Sequence, residues 1–163
     1  MNFFLIGMMG SGKSTLGKLL SAQWKKEFID LDAYIAHKEG SSISTIFQSK
    51  GETYFRELES KALSEVIAIH KDVIVACGGG LPAYKNNLEN CLKHGAVVYL
   101  ESSPRDLYNR VKNDVTRPLV KDYTSFKALF EEREIYYKQA TICVNANRSI
   151  SEVLEEILGH FSF

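Results

Sequence analysis

A chain of 163 residues that is 45% hydrophobic and 25% charged has the size of one domain and enough apolar content to bury its own core. Its 20 Lys and Arg balance 20 Asp and Glu, which argues against a nucleic-acid binder, and three cysteines without C-x-x-C spacing argue against a disulfide framework or zinc site. No run approaches the ~18 apolar residues of a membrane span, and the N-terminal apolar run lacks a basic leader, so no signal peptide or membrane segment and a soluble, cytoplasmic protein are expected.

Residues 3–6 predict a buried strand that leads into Gly7-Met8-Met9-Gly10-Ser11-Gly12-Lys13-Ser14, a complete G-x-x-x-x-G-K-[ST] phosphate-binding loop. The glycines let the backbone curl until its N–H groups face phosphate oxygens. A helix predicted to continue over residues 15–20 adds partial positive charge at its N-terminus. In such a loop Gly10, Ser11, Gly12 and Thr15 surround the phosphates, and Lys13 reaches the β- and γ-phosphates. The Ser14 hydroxyl faces Mg²⁺, so ATP with Mg²⁺ is the expected ligand.

Residues 27–32 predict a second strand ending in Asp30 and Asp32. An extended Asp-x-Asp turns both carboxylates to one side, toward the phosphate loop. One acid could hold Mg²⁺ through water while the other accepts a proton from an attacking hydroxyl. Asp32 also suits the N-cap of a helix beginning at Ala33, and that reading stands beside the catalytic one.

A helix over 57–69 precedes a third strand, 73–77, which closes on Gly78-Gly79-Gly80. The fourth strand is 96–100, followed by a helix over 104–112 and a polar, cation-rich stretch broken by Pro118. Helices over 125–138 and 149–158 flank a short fifth strand, 142–144; Ser149 and Glu152 have capping-box spacing. Cys77 and Cys143 end apolar runs and are expected in the core, as is Cys91. Alternating strands and helices with near-continuous apolar strands predict an α/β three-layer sandwich, a five-stranded parallel sheet flanked by helices. Ligands of such sheets bind at the carboxyl ends of the strands, where the loop, the two acids and the glycine run all fall.

Six segments occur in order: residues 7–15, Asp30-Leu31-Asp32, Gly51-Glu52-x-x-Phe55-Arg56-x-x-Glu59, Gly78-Gly79-Gly80, Thr116-Arg117-Pro118-Leu119 and Arg133-x-x-x-Tyr137. Together they resemble the shikimate kinase family over nearly the whole chain. The resemblance implies a P-loop kinase fold in a single domain, 1–163, with a small helical substrate-binding region at about 32–60 and a lid at about 111–123. It implies ATP-dependent phosphorylation of the 3-hydroxyl of shikimate, on the route to chorismate and the aromatic amino acids. A monomer is expected, since no long apolar stripe marks the surface.

By position, Arg56 and Arg133 match the family's fork onto the shikimate carboxylate, and Asp32 the acid at the reacting hydroxyl. Gly79, with Gly78 and Gly80 around it, matches a backbone contact to substrate, and Asp30 the residue near the metal. Arg117 matches the lid arginine brought to the transferring phosphate. Arg110 resembles an adenine-stacking residue and Arg148 lies near a second adenine contact, although Arg148 reads equally as a surface arginine. Phe47 and Phe55 suit an apolar wall against the ring or plain core.

Local sequence alone reads Arg56 as paired with Glu52 or Glu59 on a helix, and Arg133 as paired among Glu131, Glu132 and Glu134. Leu31 stands where relatives commonly carry threonine, and the third strand lacks the acidic end of a generic nucleotide hydrolase. The competing readings are a gluconate or nucleoside monophosphate kinase and a catalytically silent member, whose mark would be loss of Lys13, Asp32 or Arg117.

Overall fold

The computed structural model describes residues 1–161. The apolar runs form β1 (Asn2–Ile6), β2 (Phe28–Asp30), β3 (Ile74–Ala76), β4 (Gly95–Glu101) and β5 (Ile142–Asn145). They make one sheet in the order β2-β3-β1-β4-β5, and every neighbouring pair is parallel. The helices are α1 (Lys13–Trp24), α2 (Leu31–Glu39), α3 (Ile43–Ile69), α4 (Asn87–His94), α5 (Pro104–Val111), α6 (Tyr123–Tyr137) and α7 (Ile150–His160).

Side chains alternate across the sheet, and each face has its own apolar layer. Phe3 and Leu5 of β1 face Leu16 and Leu20 of α1 and Val153 and Ile157 of α7. Phe4 and Ile6 face the other way, into a larger layer with Leu63 and Val66 of α3, Cys91 of α4 and Phe126 and Tyr137 of α6. The three-layer sandwich is therefore built from strands buried on both sides. Gly17 of α1 lies so close to the Phe28 ring that a Cβ would collide with it, which sets how tightly α1 docks beside β2.

From β1 the chain crosses to β2 and β3 on one side, then passes to β4 and β5 on the other. That reversal opens a crevice at the carboxyl end of β1, where residues 7–12 lead into α1. Several boundaries differ from the sequence expectation. The second strand ends at Asp30, and Asp30 itself caps α2, its Oδ1 accepting from the N–H groups of Asp32 and Ala33. Asp32 is thus neither extended nor the cap but sits in the first turn of α2, because a capping carboxylate two residues upstream has already turned the chain.

The helix expected at 57–69 begins at Ile43 and bends at Gly51, whose φ of 83° and ψ of 173° only glycine adopts easily. α4 and the first half of α3 fall outside the helices expected from periodicity. Ser149 forms the expected capping box with Glu152. Cys77 and Cys91 are buried, but Cys143 is exposed: β5 is an edge strand, and Cys143 lies on its open face while Val144 fills the core.

Candidate active site

The phosphate loop curls as its glycines permit, with left-handed φ at Gly10 (84°) and Gly12 (92°). Lys13 folds back over the loop, donating to the carbonyls of Gly7 (2.8 Å) and Met8 (3.0 Å). Burial, reinforced by the nearby Arg117 cation, pulls its ammonium down to about 8. Ser11 is buried, while Ser14 and Thr15 face solvent at the mouth of the loop. The Ser14 hydroxyl donates to Asp30 Oδ2 at 2.5 Å, joining the start of α1 to the start of α2.

Beside the loop opens a cleft of about 500 Å³. Among its walls are Ser14, Asp30, Asp32, Arg56, Arg117 and Arg133, with Gly78, Gly79 and Gly80 beneath them. Phe47 and Phe55 supply an apolar side, their rings 4.8 Å apart and both against the Arg56 guanidinium, which lies 6.0 and 5.3 Å from the two ring centres. Arg56 and Arg133 are 8% and 4% exposed, so neither is an ordinary surface arginine.

Arg56 makes both ion pairs its helical neighbours allow, to Glu59 at 2.5 Å and to Glu52 at 3.3 Å. Burial works against its charge, but the two glutamates outweigh that and hold the guanidinium above the usual arginine value. The pairing read from local sequence is therefore present, yet inside the cleft wall instead of on the surface. For Arg133 that reading is overturned: Glu131 and Glu134 turn to Lys127 and Lys138, and Arg133 points inward to Met8 Sδ at 3.7 Å. Burial lowers its pKa from the arginine value.

The glycine run is what lets these groups meet. A Cβ on Gly78 would strike Glu59 Oε1 and crowd Asp32 Oδ1, and one on Gly80 would strike the Arg56 guanidinium. Glu59 Oε1 and Asp32 Oδ1 are both shielded from solvent and have no hydrogen-bond partner among the described residues. Burial first, then the Asp30 charge, raises the Asp32 carboxyl above its ordinary value. Burial likewise pushes Glu59 up to about 7, against the pull of Arg56. Glu59 belongs to the motif that contains Arg56, yet its buried position was not legible from helical spacing, which fits a solvated pair equally well.

The segment between α5 and α6, residues 112–122, arches over the opening with Thr116, Arg117, Pro118 and Leu119 among the cleft walls. Arg117 is paired with Asp114, its Nε donating to Oδ2 at 3.1 Å. Arg110 donates to the Gly10 carbonyl at 3.0 Å, which places it at the rim of the phosphate loop. Arg148 is not among the cleft's walls; it pairs with Glu156 and donates to the Asn145 carbonyl (3.2 Å).

A family model described as shikimate kinase matches residues 9–161. The chain belongs to the shikimate kinase family. It is 46% identical over 159 residues to the shikimate kinase of Sulfurihydrogenibium sp., covering 96% of this chain and 95% of that one. Among solved structures it is similar to the shikimate kinase of Aquifex aeolicus, with a TM-score of 0.88 and 39% identity over 97% of this chain and 94% of the other. Its likeness to the Acinetobacter baumannii shikimate kinase in complex with shikimate has a TM-score of 0.91 and 30% identity, covering 99% and 95%. Membership in the shikimate kinase family agrees with the P-loop kinase architecture.

Proposed function

We propose that this chain transfers the γ-phosphoryl group of ATP to the 3-hydroxyl of shikimate, giving shikimate 3-phosphate and ADP. The observation that carries this reading is the pair of buried guanidiniums, Arg56 and Arg133, facing one cleft with Asp32 at the mouth of a phosphate loop. Buried arginines set around a polar cleft suit a small acid, since the guanidinium fork matches a carboxylate in two parallel hydrogen bonds. Shikimate is a cyclohexene with one carboxylate and three hydroxyls. Phe47 and Phe55 offer an apolar wall for its ring, and the Gly78–Gly80 backbone allows the close approach its hydroxyls need.

At the other end, the loop amides of Gly10, Ser11, Gly12 and Thr15 and the Lys13 ammonium cradle the phosphates, with α1 adding its N-terminal field. Arg110, which reaches the loop rim, stacks on the adenine. Arg148, outside the cleft walls and engaged by Glu156, is the weaker of the two adenine contacts. Asp32 Oδ1, dry and unpartnered, accepts the proton of the 3-hydroxyl as its oxygen attacks the γ-phosphorus and ADP departs. Its raised affinity for a proton suits that task. Arg117 swings from Asp114 to the transferring group as the lid, about residues 111–123, closes and excludes water.

The Ser14 hydroxyl and Asp30 carboxylate fit Mg²⁺. They are two hard oxygen donors already within 2.5 Å of each other at the loop mouth, and Mg²⁺ in such sites keeps several waters and takes its other ligands from phosphate. Bound there, the ion would neutralise charge on the phosphate oxygens. Ser14 and Asp30 would hold it, directly or through water.

The same reading includes a single kinase domain over 1–163, with the substrate-binding helices at about 32–60. It also includes a monomer in the cytoplasm that works without a membrane or nucleic-acid partner, on the route to chorismate. No helix among the described residues is long and apolar enough to cross a membrane.

Phosphoryl transfer from ATP·Mg²⁺ measured across shikimate, gluconate and nucleoside monophosphates, with product mass read out, tests the proposal. Shikimate-dependent ADP release with one phosphate added supports it. Transfer to another acceptor overturns the arginine clamp and leaves the nucleotide half standing. ATP binding without transfer to any acceptor makes the chain a silent member.

A further inference from the structure

Tyr137 ends α6 one turn after Arg133, and its side chain is completely buried. Its hydroxyl has two neighbours within reach, the Gly79 carbonyl at 2.5 Å and Met8 Sδ at 3.8 Å. A hydroxyl has one proton, and a carbonyl oxygen is much the better acceptor than a thioether, so the proton goes to Gly79. Burial pushes the phenol up to about 12, which keeps that proton in place at neutral pH. The ring is fixed from behind by Tyr99, 5.1 Å away centre to centre and tilted by 33°.

The contact matters because of what it holds. Three consecutive glycines have no side chains to pin their peptide planes, and each rotates more freely than any other residue. The Gly79–Gly80 peptide is trans, as is every peptide among the described residues, so fixing the Gly79 carbonyl toward Tyr137 points the N–H of Gly80 the opposite way. Gly80 in turn is the surface on which the Arg56 guanidinium rests, and Gly79 stands with its Cβ position 3.2 Å from Arg133 Nη1. Arg133 lies beside the phenol, its positive charge facing it, and reaches the same Met8 sulfur at 3.7 Å. The hydroxyl thus joins the glycine run to the first turn of the phosphate loop and meets Arg133 at the Met8 sulfur they share.

We infer that Tyr137 is a positioning residue whose hydroxyl locks the Gly79–Gly80 peptide plane and the Arg133 fork in one arrangement before the acceptor arrives. It touches neither substrate; it acts through Gly79 and Arg133, and the inference rests on their assignment to the shikimate side of the cleft. Pre-set polar groups bind a small acid without the cost of ordering them on arrival. Losing the hydroxyl should therefore weaken the acceptor and spare the nucleotide.

The test compares Tyr137→Phe with Tyr99→Phe and Arg133→Ala, measuring shikimate KM, ATP KM, kcat and thermal midpoint. Tyr99 is the matched control, since its hydroxyl is buried and without a partner among the described residues. For Tyr137→Phe, shikimate KM should rise roughly five- to twentyfold while ATP KM stays within about twofold, the effect expected of one lost buried hydrogen bond. Tyr99→Phe should leave shikimate KM within about twofold of wild type. An unchanged shikimate KM in Tyr137→Phe, or an equal rise for both substrates with a lowered midpoint, overturns the inference. So does an equal rise in the Tyr99 variant, which would mark a loosened core. If Arg133→Ala also leaves shikimate KM unchanged, the clamp itself has failed; if it raises KM and Tyr137→Phe does not, only the positioning role has.

Discussion

Glu59 Oε2 lies 2.5 Å from Arg56 Nη1, and the other carboxylate oxygen of Glu59 stands where a Cβ on Gly78 would fall. A buried acid thereby sits between the Arg56 guanidinium and the glycine run. Burial lifts its ionisation from the usual 4.5 to about 7. Between those values the folded chain holds a proton that the unfolded chain has released, so this residue's contribution to stability falls as pH rises through the window. The stability of wild type relative to Glu59→Gln should drop by about 2 kcal/mol between pH 5 and pH 7.5. Urea denaturation of both proteins at the two pH values checks it, and a pH-independent difference would count against a displaced Glu59.

Removing the lid arginine separates chemistry from binding. Arg117 is tied to Asp114 by one exposed ion pair, which would cost little to break on the lid closure proposed above. Arg117→Ala should lower kcat by at least about 10²-fold while shikimate KM changes by less than about threefold. Initial rates with both substrates varied give the split. Turnover equal to wild type at saturation would remove Arg117 from the transition state.

Two glycines should respond to alanine in opposite ways. At Gly78 the added methyl meets Glu59 Oε1 and Asp32 Oδ1, so Gly78→Ala should depress shikimate-dependent turnover by about 10²-fold even in the folded fraction. At Gly17 the methyl meets the Phe28 ring, and neither residue lines the cleft. Gly17→Ala should cost about 1–3 kcal/mol of stability, an overpacking effect, with kcat per folded molecule near wild type. Thermal melts paired with activity per folded enzyme distinguish the two.

Metal dependence can be tested without disturbing the helix. Asp30 has two tasks, capping α2 through Oδ1 and meeting Ser14 through Oδ2. Asparagine caps helices about as well as aspartate but is a poorer Mg²⁺ ligand. Asp30→Asn should therefore keep its melting temperature while the Mg²⁺ concentration for half-maximal rate rises roughly tenfold. A Mg²⁺ titration of the rate reads this directly, and an unchanged requirement would place the ion elsewhere.

How much of this was legible in the chain alone depends on the range of the forces involved. The phosphate loop, the strand before it and the capping box at Ser149 are local: their residues lie within one turn or one strand of each other, so pattern and spacing determine them. The order of six short motifs likewise determined the family. The second strand's end was misjudged by two residues, because Asp30 and Asp32 suit a cap equally well in sequence and only the chain's course toward Ser14 selects Asp30. Cys143 failed in the core for a similar reason: an apolar run does not reveal that its strand lies at a sheet edge.

What only the tertiary structure decided is which neighbours a charged side chain keeps. Spacing offered Arg56 two glutamates and Arg133 three; the fold buries the first arginine with both of its glutamates and turns the second away from all of its own. Glu52 and Glu59 offset the cost of burying the Arg56 guanidinium while Gly80 leaves it room, and Arg133 lies among Met8, Gly79 and Tyr137, which come together only when β1, β3 and α6 pack. The sequence by itself determined the elements and the phosphate loop, because those follow from neighbours along the chain. The cleft's charges, their burial and their shifted proton affinities follow from neighbours in space.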